Sequence, residues 1–338
     1  RGKNMKKLFF SIFMIFIIIS RAFSGVGTTS IDILKVPTGI KSQGMGGAYV
    51  AGGNDIEAID FNPAGLKSIK GKEVLFIHDI YLQDIFYDSI FYGQNINELG
   101  SIGACIKYLN SGSIIEKKES ATGNYEGEGA SLSAFDYLLE IGYGMDFEKM
   151  VYNEFTMDLN LGATLKISGE SLGNEYSNFG LAIDIGAVYD VIITEEDFLS
   201  NRGEFLWNKA GAGIVFKNLG TSFNGNITPI SFVFGGYTQF LNCFTQGNRV
   251  KLNMDLDYNI AESLNIKGGI EYSHNISTAV LSLRVGGNFS LKERMATGIN
   301  FGGGLGMKFG DINYELNYVM IPFSELGNNH KIGLYIVF

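Results

Sequence analysis

The chain is poor in the residues that build redox, metal and hydrolytic sites: 2 Cys, 3 His, 4 Pro and 1 Trp in 338 residues. Cys105 and Cys243 lie far apart in sequence. Two lone cysteines are not a disulfide framework, even where oxidation is permitted, and they read as small apolar side chains within strands. His78, His274 and His330 are scattered without the spacing of a metal site, so neither a metal nor another cofactor is expected. With so few histidines, no nucleophile, base and orienting group line up beyond chance, and no catalytic residue is expected. Past residue 19 no stretch is apolar for the roughly 20 residues a membrane helix requires.

The N-terminus reads as an export signal. Taking Met5 as the start, Lys6 and Lys7 form a basic region, Leu8 to Ile19 is apolar apart from Ser11, and Ala22-Phe23-Ser24 offers a cleavage site before Gly25. An uncleaved anchor is the alternative, but the run is short of the roughly 20 residues needed to span a bilayer. No Cys stands near the site, which argues against a lipoprotein. Of 26 Lys+Arg and 35 Asp+Glu, residues 1–24 hold Arg1, Lys3, Lys6, Lys7 and Arg21, so their removal leaves a net charge of −14. Such an acidic chain does not suit nucleic acid, whose affinity rests on basic contacts to phosphate.

What the chain does have is glycine, 45 residues, roughly double the usual share of about 7%, and alternation. Leu252, Met254, Leu256, Tyr258 and Ile260 oppose Lys251, Asn253, Asp255, Asp257 and Asn259. Leu159, Leu161, Ala163, Leu165 and Ile167 face away from Asp158, Asn160, Thr164 and Lys166. Strands 181–190, 264–272 and 311–318 repeat the scheme, with Asp184, Asp190, Lys267 and Glu271 on the polar face. A soluble sandwich would bury the apolar face, whereas a membrane barrel turns it to lipid. Glycine suits tightly curved, closely packed barrel walls. Ile332, Leu334, Ile336 and Phe338 share a face, and a terminal Phe behind an export signal is the usual finish of an outer-membrane barrel. Phe338 is therefore read as an assembly signal for the barrel-assembly machinery, and the fold class as all-β.

About fourteen antiparallel transmembrane strands are expected. The first seven lie near 72–82, 84–94, 99–109, 130–147, 155–168, 176–191 and 207–217. The rest lie near 228–240, 248–259, 263–273, 276–287, 297–308, 310–319 and 329–338. An even count puts both ends of the wall on one side, the periplasmic one. Residues 110–128 then form an outer loop, and 192–206 is long for a periplasmic turn. The expected division is a signal peptide over 1–24, a hatch segment over 25–70 and a barrel over 71–338.

Residues 25–70 do not alternate. Gly44-Met45-Gly46-Gly47-Ala48 leads through Asn54-Asp55 to Asn62-Pro63-Ala64-Gly65-Leu66. Asp55 can cap a short helix over 56–61, and Asn62-Pro63 signals a turn. The glycines lack a dinucleotide or P-loop register, so nucleotide binding is not expected. The run from Gly39 to Leu66, with the end Ile312 to Tyr318, Pro322-Phe323, Leu326 to His330 and Phe338, resembles the FadL-like outer-membrane proteins, closest to their PorV/PorQ-like branch. About 60 residues carry the resemblance.

That resemblance implies a fourteen-stranded barrel with the N-terminal segment folded inside as a hatch. Asn62, Pro63 and Ala64 would be the hatch motif, Gly44, Gly46 and Gly47 its glycine-rich segment, and Asp55 its acidic position. Relatives usually carry two acidic residues where this chain has Asn54-Asp55. Strands 207–217, 263–273 and 297–308 are candidates for a lateral break, and the hatch is either a structural plug or a gate. The implied function is passive uptake of hydrophobic small molecules such as long-chain fatty acids, in contact with outer-membrane lipid. The alternatives are a PorV-like partner in protein secretion, bound to a secretion-system protein, or a structural porin or adhesin using loops 110–128 and 288–296.

Overall fold

The computed structural model describes the chain apart from residues 1–28, 30, 83–84, 121, 153–154, 174–175, 194–205, 223–226, 261–263, 291–294 and 324–326. The signal-peptide residues and most of the 192–206 connection therefore lie outside the described residues. The wall starts with β1 (Lys72–Leu82), β2 (Ile85–Asn95), β3 (Ser101–Glu119), β4 (Tyr125–Tyr152) and β5 (Phe155–Leu172). It continues with β6 (Tyr176–Ile193), β7 (Leu206–Ser222), β8 (Ser231–Leu241), β9 (Asn248–Asn259) and β10 (Leu264–Ile276). It ends with β11 (Ala279–Ser290), β12 (Met295–Phe309), β13 (Ile312–Pro322) and β14 (Asn328–Val337). Each strand pairs antiparallel with its sequence neighbours, and β1 closes the barrel on β14 from Glu73↔Val337 to Ile80↔His330. Closure leaves no open edge. Lys72 and Phe338 exchange backbone hydrogen bonds of 2.7 and 2.9 Å at the end of the barrel that holds both wall termini, the near end.

The alternation places apolar side chains outside and polar ones inside. Leu165, Ile185, Met254 and Leu316 are exposed, while Lys166, Asp184, Asp255 and Asn317 on the same strands are buried. Burying charge while exposing hydrocarbon is unfavourable in water; in a bilayer the outer band is solvated by lipid. The wall is a membrane-spanning one. Phe338 projects outward with Ile332 and Leu334. Among the described residues no helix is long and apolar enough to cross a membrane.

Two expectations need correction. Residues 110–128 are not a loop: β3 and β4 stay paired to Glu119↔Tyr125, and only the 120–124 turn separates them. Ladder pairing needs no apolar face where a hairpin stands in water, so its polar sequence hid it. Cys105 is a buried strand residue, as expected, but Cys243 lies in the turn after β8; both are free thiols.

Residues 31–70 fill the lumen as short helical turns, Asp32–Lys35, Lys41–Gly44, Ala58–Phe61 and Pro63–Ser68, joined by irregular backbone. Their Ile40, Ile56, Ile59, Leu66 and Ile69 pack on Leu75, Ile77, Phe91, Cys105 and Val319 of the wall. Full burial of each large aliphatic contributes about 1.5–3 kcal/mol. The core of this barrel is thus the join between lumen segment and wall.

Candidate functional site

The lumen segment is folded by carboxylates that replace missing backbone partners. Glu57 accepts from the amides of Ile40 and Lys41 with one oxygen and of Ser42 with the other, each at 3.0 Å. Those amides open the Lys41–Gly44 turn, and amides at a helix start have no partner within the helix. Burial, and then the neighbouring Asp55, raise the Glu57 carboxyl above its ordinary range. Asp55 accepts from the Tyr49 hydroxyl at 3.0 Å and the Glu57 amide at 3.1 Å, and lies 3.4 Å from Lys41. The helix itself covers only Ala58–Phe61, with no side-chain cap, so the expected Asp55-capped helix over 56–61 is shorter. Burial and then Asp55 push the Tyr49 hydroxyl well above its ordinary value.

The Asn62-Pro63-Ala64 motif is fully enclosed. The Asn62 amide nitrogen donates to the carbonyls of Val50 (3.0 Å), Ala187 of β6 (3.1 Å) and Ile214 of β7 (3.4 Å). Its oxygen accepts from Ala64 N at 3.2 Å, which starts the Pro63–Ser68 turn. One side chain thus ties two loops of the lumen segment to two wall strands. A Cβ on Gly162 would overlap Pro63 and Ala64 backbone, and one on Gly186 would overlap Asn62 Oδ1. These wall glycines are seats for the motif.

Buried ion pairs join the segment to the wall. Asp60 lies 2.5 Å from Lys107 of β3, which is 3.0 Å from Glu140 of β4. Glu140 is 3.5 Å from Lys166 of β5, itself 2.7 Å from Asp184 of β6. Burial alone would raise the Asp60 carboxyl, but Lys107, Lys217 and Lys166 outweigh it and hold it below the ordinary carboxylate range. On the other side of the lumen, Asp255 accepts from the amides of Tyr49 (2.7 Å) and Val50 (3.0 Å).

Gly44-Met45-Gly46-Gly47 occupies the most telling position. Gly268 pairs with Gly287 and Gly269 with Gly286 across β10 and β11, so a four-residue patch of wall has no side chain on either face. Met45 and Gly46 back it from the lumen. A Cβ on Gly269 would stand 2.5 Å from Met45 Cα, and one on Gly46, where φ is +68°, 2.6 and 2.7 Å from the carbonyl oxygens of Gly287 and Gly268. Beside the patch the β11–β12 ladder slips between Gly287 and Phe289, with Gly298 at φ +74°. Outside, Gly236, Met254, Gly268 and Gly287 face each other in a row across β8 to β11. An apolar crevice of about 440 Å³ lies at the start of that row, lined by Phe234, Gly236, Leu252, Met254 and Leu256.

Inside, two cavities meet at the same turn. One of about 740 Å³ reaches Met45, Tyr49 and Asp55 from the near end, where the β10–β11 and β12–β13 turns lie. One of about 290 Å³ reaches Gln43, Gly46 and Gly47 from the far end. Residues 43–47 stand between them, Met45 lining the first and Gln43, Gly46 and Gly47 the second, and form a septum.

A model of the uncharacterised protein family UPF0164 matches residues 20–337. The chain belongs to that family. No curated protein sequence matches this UPF0164 chain. Among solved structures it is similar to the Pseudomonas putida toluene transporter TodX at 12% identity, covering 89% of this chain and 97% of that one, with a TM-score of 0.49. The Ralstonia pickettii toluene transporter TbuX matches at 9% identity over 89% and 96%, TM-score 0.45. A Pseudomonas aeruginosa FadL homologue matches at 9% over 90% and 98%, TM-score 0.44.

The residues the sequence singled out separate into two groups within the UPF0164 chain. Gly44, Gly46, Gly47, Asp55, Asn62, Pro63 and Ala64 all lie in the lumen segment, whereas Phe338 is at the outer surface of the near end. Glu57, Asp60 and Met45 were not singled out. The signal for the first two was their company: Asp55, Glu57 and Asp60 crowd three carboxylates among small and apolar residues, where acids are costly unless each has a partner.

Proposed function

We propose that this protein is an outer-membrane channel for passive movement of hydrophobic small molecules, long-chain fatty acids among them, and that residues 43–47 of the hatch are its gate. The observation that carries the reading is the glycine patch of Gly268, Gly269, Gly286 and Gly287, backed by Met45 and Gly46 and continuous outside with an apolar row and crevice. A molecule dissolved in the bilayer meets no side chain there. Crossing at that level spares it a passage through water, worth about 0.8 kcal/mol for every CH₂. Of the three strands named as sites for a break, 263–273 contains half of this patch. Asn62, Pro63 and Ala64 act as the fixed anchor of the hatch. The septum turn is tied to the wall by the Asn300 amide on the Gln43 carbonyl and the Asn253 amide on the Ala48 carbonyl, and it is the part that moves when those two bonds break.

The near end, with both wall termini, is the periplasmic one, reached after export by the 1–24 signal, and the β3–β4 hairpin faces outward. Phe338 is the signal read by the assembly machinery. The test is uptake of radiolabelled oleate and of a neutral hydrocarbon, dodecane, by intact cells with and without the gene, corrected for surface binding. Loss of uptake of both, restored by the gene, is expected. Unchanged uptake in cells with no related barrel, together with recovery of a stoichiometric protein partner after mild solubilisation, would replace the channel reading by the secretion-partner one.

A further inference from the structure

We propose that the near-end cavity is a binding site for an amphiphilic carboxylate, anchored by the ammonium of Lys251. The cavity, about 740 Å³, is within the range of ligand pockets, roughly 300–1,000 Å³. Its charges do not balance among the described residues. Lys41, Arg249, Lys251, Arg284 and Lys308 line it, against Asp55, Glu271 and Glu315. The acids are already engaged. Arg284 lies 2.7 Å from Glu271 and 3.3 Å from Glu315, and Lys41 lies 2.9 Å from Glu315 and 3.4 Å from Asp55. Arg249 reaches Glu271 at 3.7 Å and donates to the Ser273 hydroxyl at 3.1 Å.

Lys251 is different. It is buried, 8% exposed, and no carboxylate among the described residues comes within ion-pair distance of it. Its Nζ donates to the Gly52 carbonyl and sits 5.7 Å from the ring centroid of Tyr49 and 5.5 Å from that of Tyr237. An ammonium has three N–H donors, and one carbonyl uses one. Glu271 stands opposite it across the β9–β10 ladder but lies 2.7 Å from Arg284 instead. Two aromatic faces stabilise the cation only partly, and a buried charge without a direct counter-ion is costly. A ligand carboxylate would supply both the counter-charge and the missing acceptors.

The rest of the wall decides against a bare inorganic anion. Met45, Tyr49 and Tyr335 line the same cavity and offer apolar surface to a hydrocarbon tail. Met45 also backs the glycine patch, so a chain admitted there would enter the cavity that Lys251 lines. The route rests on the channel reading above; the site does not. The two fail separately, because a channel without this site still passes dodecane, and a site without the channel still binds a carboxylate in the purified protein.

The experiment is calorimetric titration of the purified full chain in uncharged detergent with octanoate, octanamide and octylammonium, each corrected for micelle partitioning. Octanoate is expected to bind one to one, at least about tenfold more tightly than octanamide, as befits hydrogen bonds to a charged group. Octylammonium is expected not to bind. Lys251→Met is expected to remove the preference for octanoate, bringing its affinity to that of octanamide or below. Equal affinity for octanoate and octanamide in the unaltered protein would overturn the proposal without recourse to any variant. So would an octanoate affinity unmoved by Lys251→Met, or competition by inorganic phosphate as effective as that by octanoate.

Discussion

Gly286→Val is expected to unseat the hatch, whereas Gly268→Val, in the same patch, is expected to leave it in place. A side chain at Gly286 points into the lumen, where its Cβ would overlap Gly46 N and Met45 C and stand 2.8 Å from Met45 Cα. The opposing atoms are backbone of the septum turn in its closed position, where the Glu57 carboxylate holds its start, so the overlap is relieved only by moving the turn as a whole. Overpacking of this kind costs about 1–3 kcal/mol or more. A side chain at Gly268 points into lipid, where the nearest atom is the Asn253 carbonyl oxygen at 3.8 Å. It should be tolerated by the fold while filling the external row. In planar bilayers the Gly286 variant is expected to show a large open conductance, and the Gly268 variant to stay closed to ions. In cells the Gly268 variant is expected to assemble to normal amounts and take up little dodecane. Equal behaviour of the two variants would mean that the faces of this patch are wrongly assigned.

Lys107→Met is expected to be the most destabilising single change in the ion-pair chain. Lys107 is 1% exposed and lies between Asp60 of the hatch and Glu140 of the wall. Removing one partner of a buried pair leaves an uncompensated charge and costs about 3–5 kcal/mol. Here one lysine is lost to two carboxylates. Adding Asp60→Asn is expected to recover a large part of the loss, because a buried polar group costs less than a buried charge. Unfolding from lipid vesicles by urea gives both numbers. The pH dependence follows from Asp60: its folded carboxyl is held below the ordinary value, so its contribution is fully present above about pH 4 and declines as the pH falls below that. The Lys107→Met protein should lose that acid dependence. A cost under 1 kcal/mol would show that the hatch does not depend on this chain of charges.

The wall was legible in the residues because lipid and lumen demand opposite chemistry on alternate positions. Segment 251–260 shows it: Leu252, Met254 and Leu256 are exposed to lipid, and Lys251, Asn253 and Asp255 are buried inside. All fourteen strands fall where the alternation puts them, to within a few residues except where hairpins leave the membrane, as β3 and β4 do. The hatch was legible for another reason, since small residues and a Pro-fixed turn suit a backbone folded against other backbone.

What stayed hidden depends on register. Asp60, Lys107, Glu140, Lys166 and Asp184 come from five elements, and nothing local says that they are neighbours. Wall glycines posed the same problem. Gly162, Gly186, Gly269 and Gly286 look like any others in a glycine-rich chain, and only their contacts with Pro63, Asn62, Met45 and Gly46 distinguish them as seats. Lys251 reads as one more polar lumen residue until its lack of a carboxylate partner among the described residues is visible.

The central claim is that the septum turn must move for a molecule to pass. It is tested most directly by a reversible tether between that turn and the wall. A Cβ built on Gly44 stands 3.1 Å from the Cβ of Arg284, close to the roughly 3.5–4.5 Å of a disulfide. The double variant Gly44→Cys, Arg284→Cys, with Cys105 and Cys243 replaced by Ser, would be assayed for dodecane uptake before and after oxidation. The account predicts that oxidation lowers uptake to the level of cells lacking the gene, and that reduction of the same cells restores it. Uptake as fast through the oxidised protein as through the reduced one would contradict it.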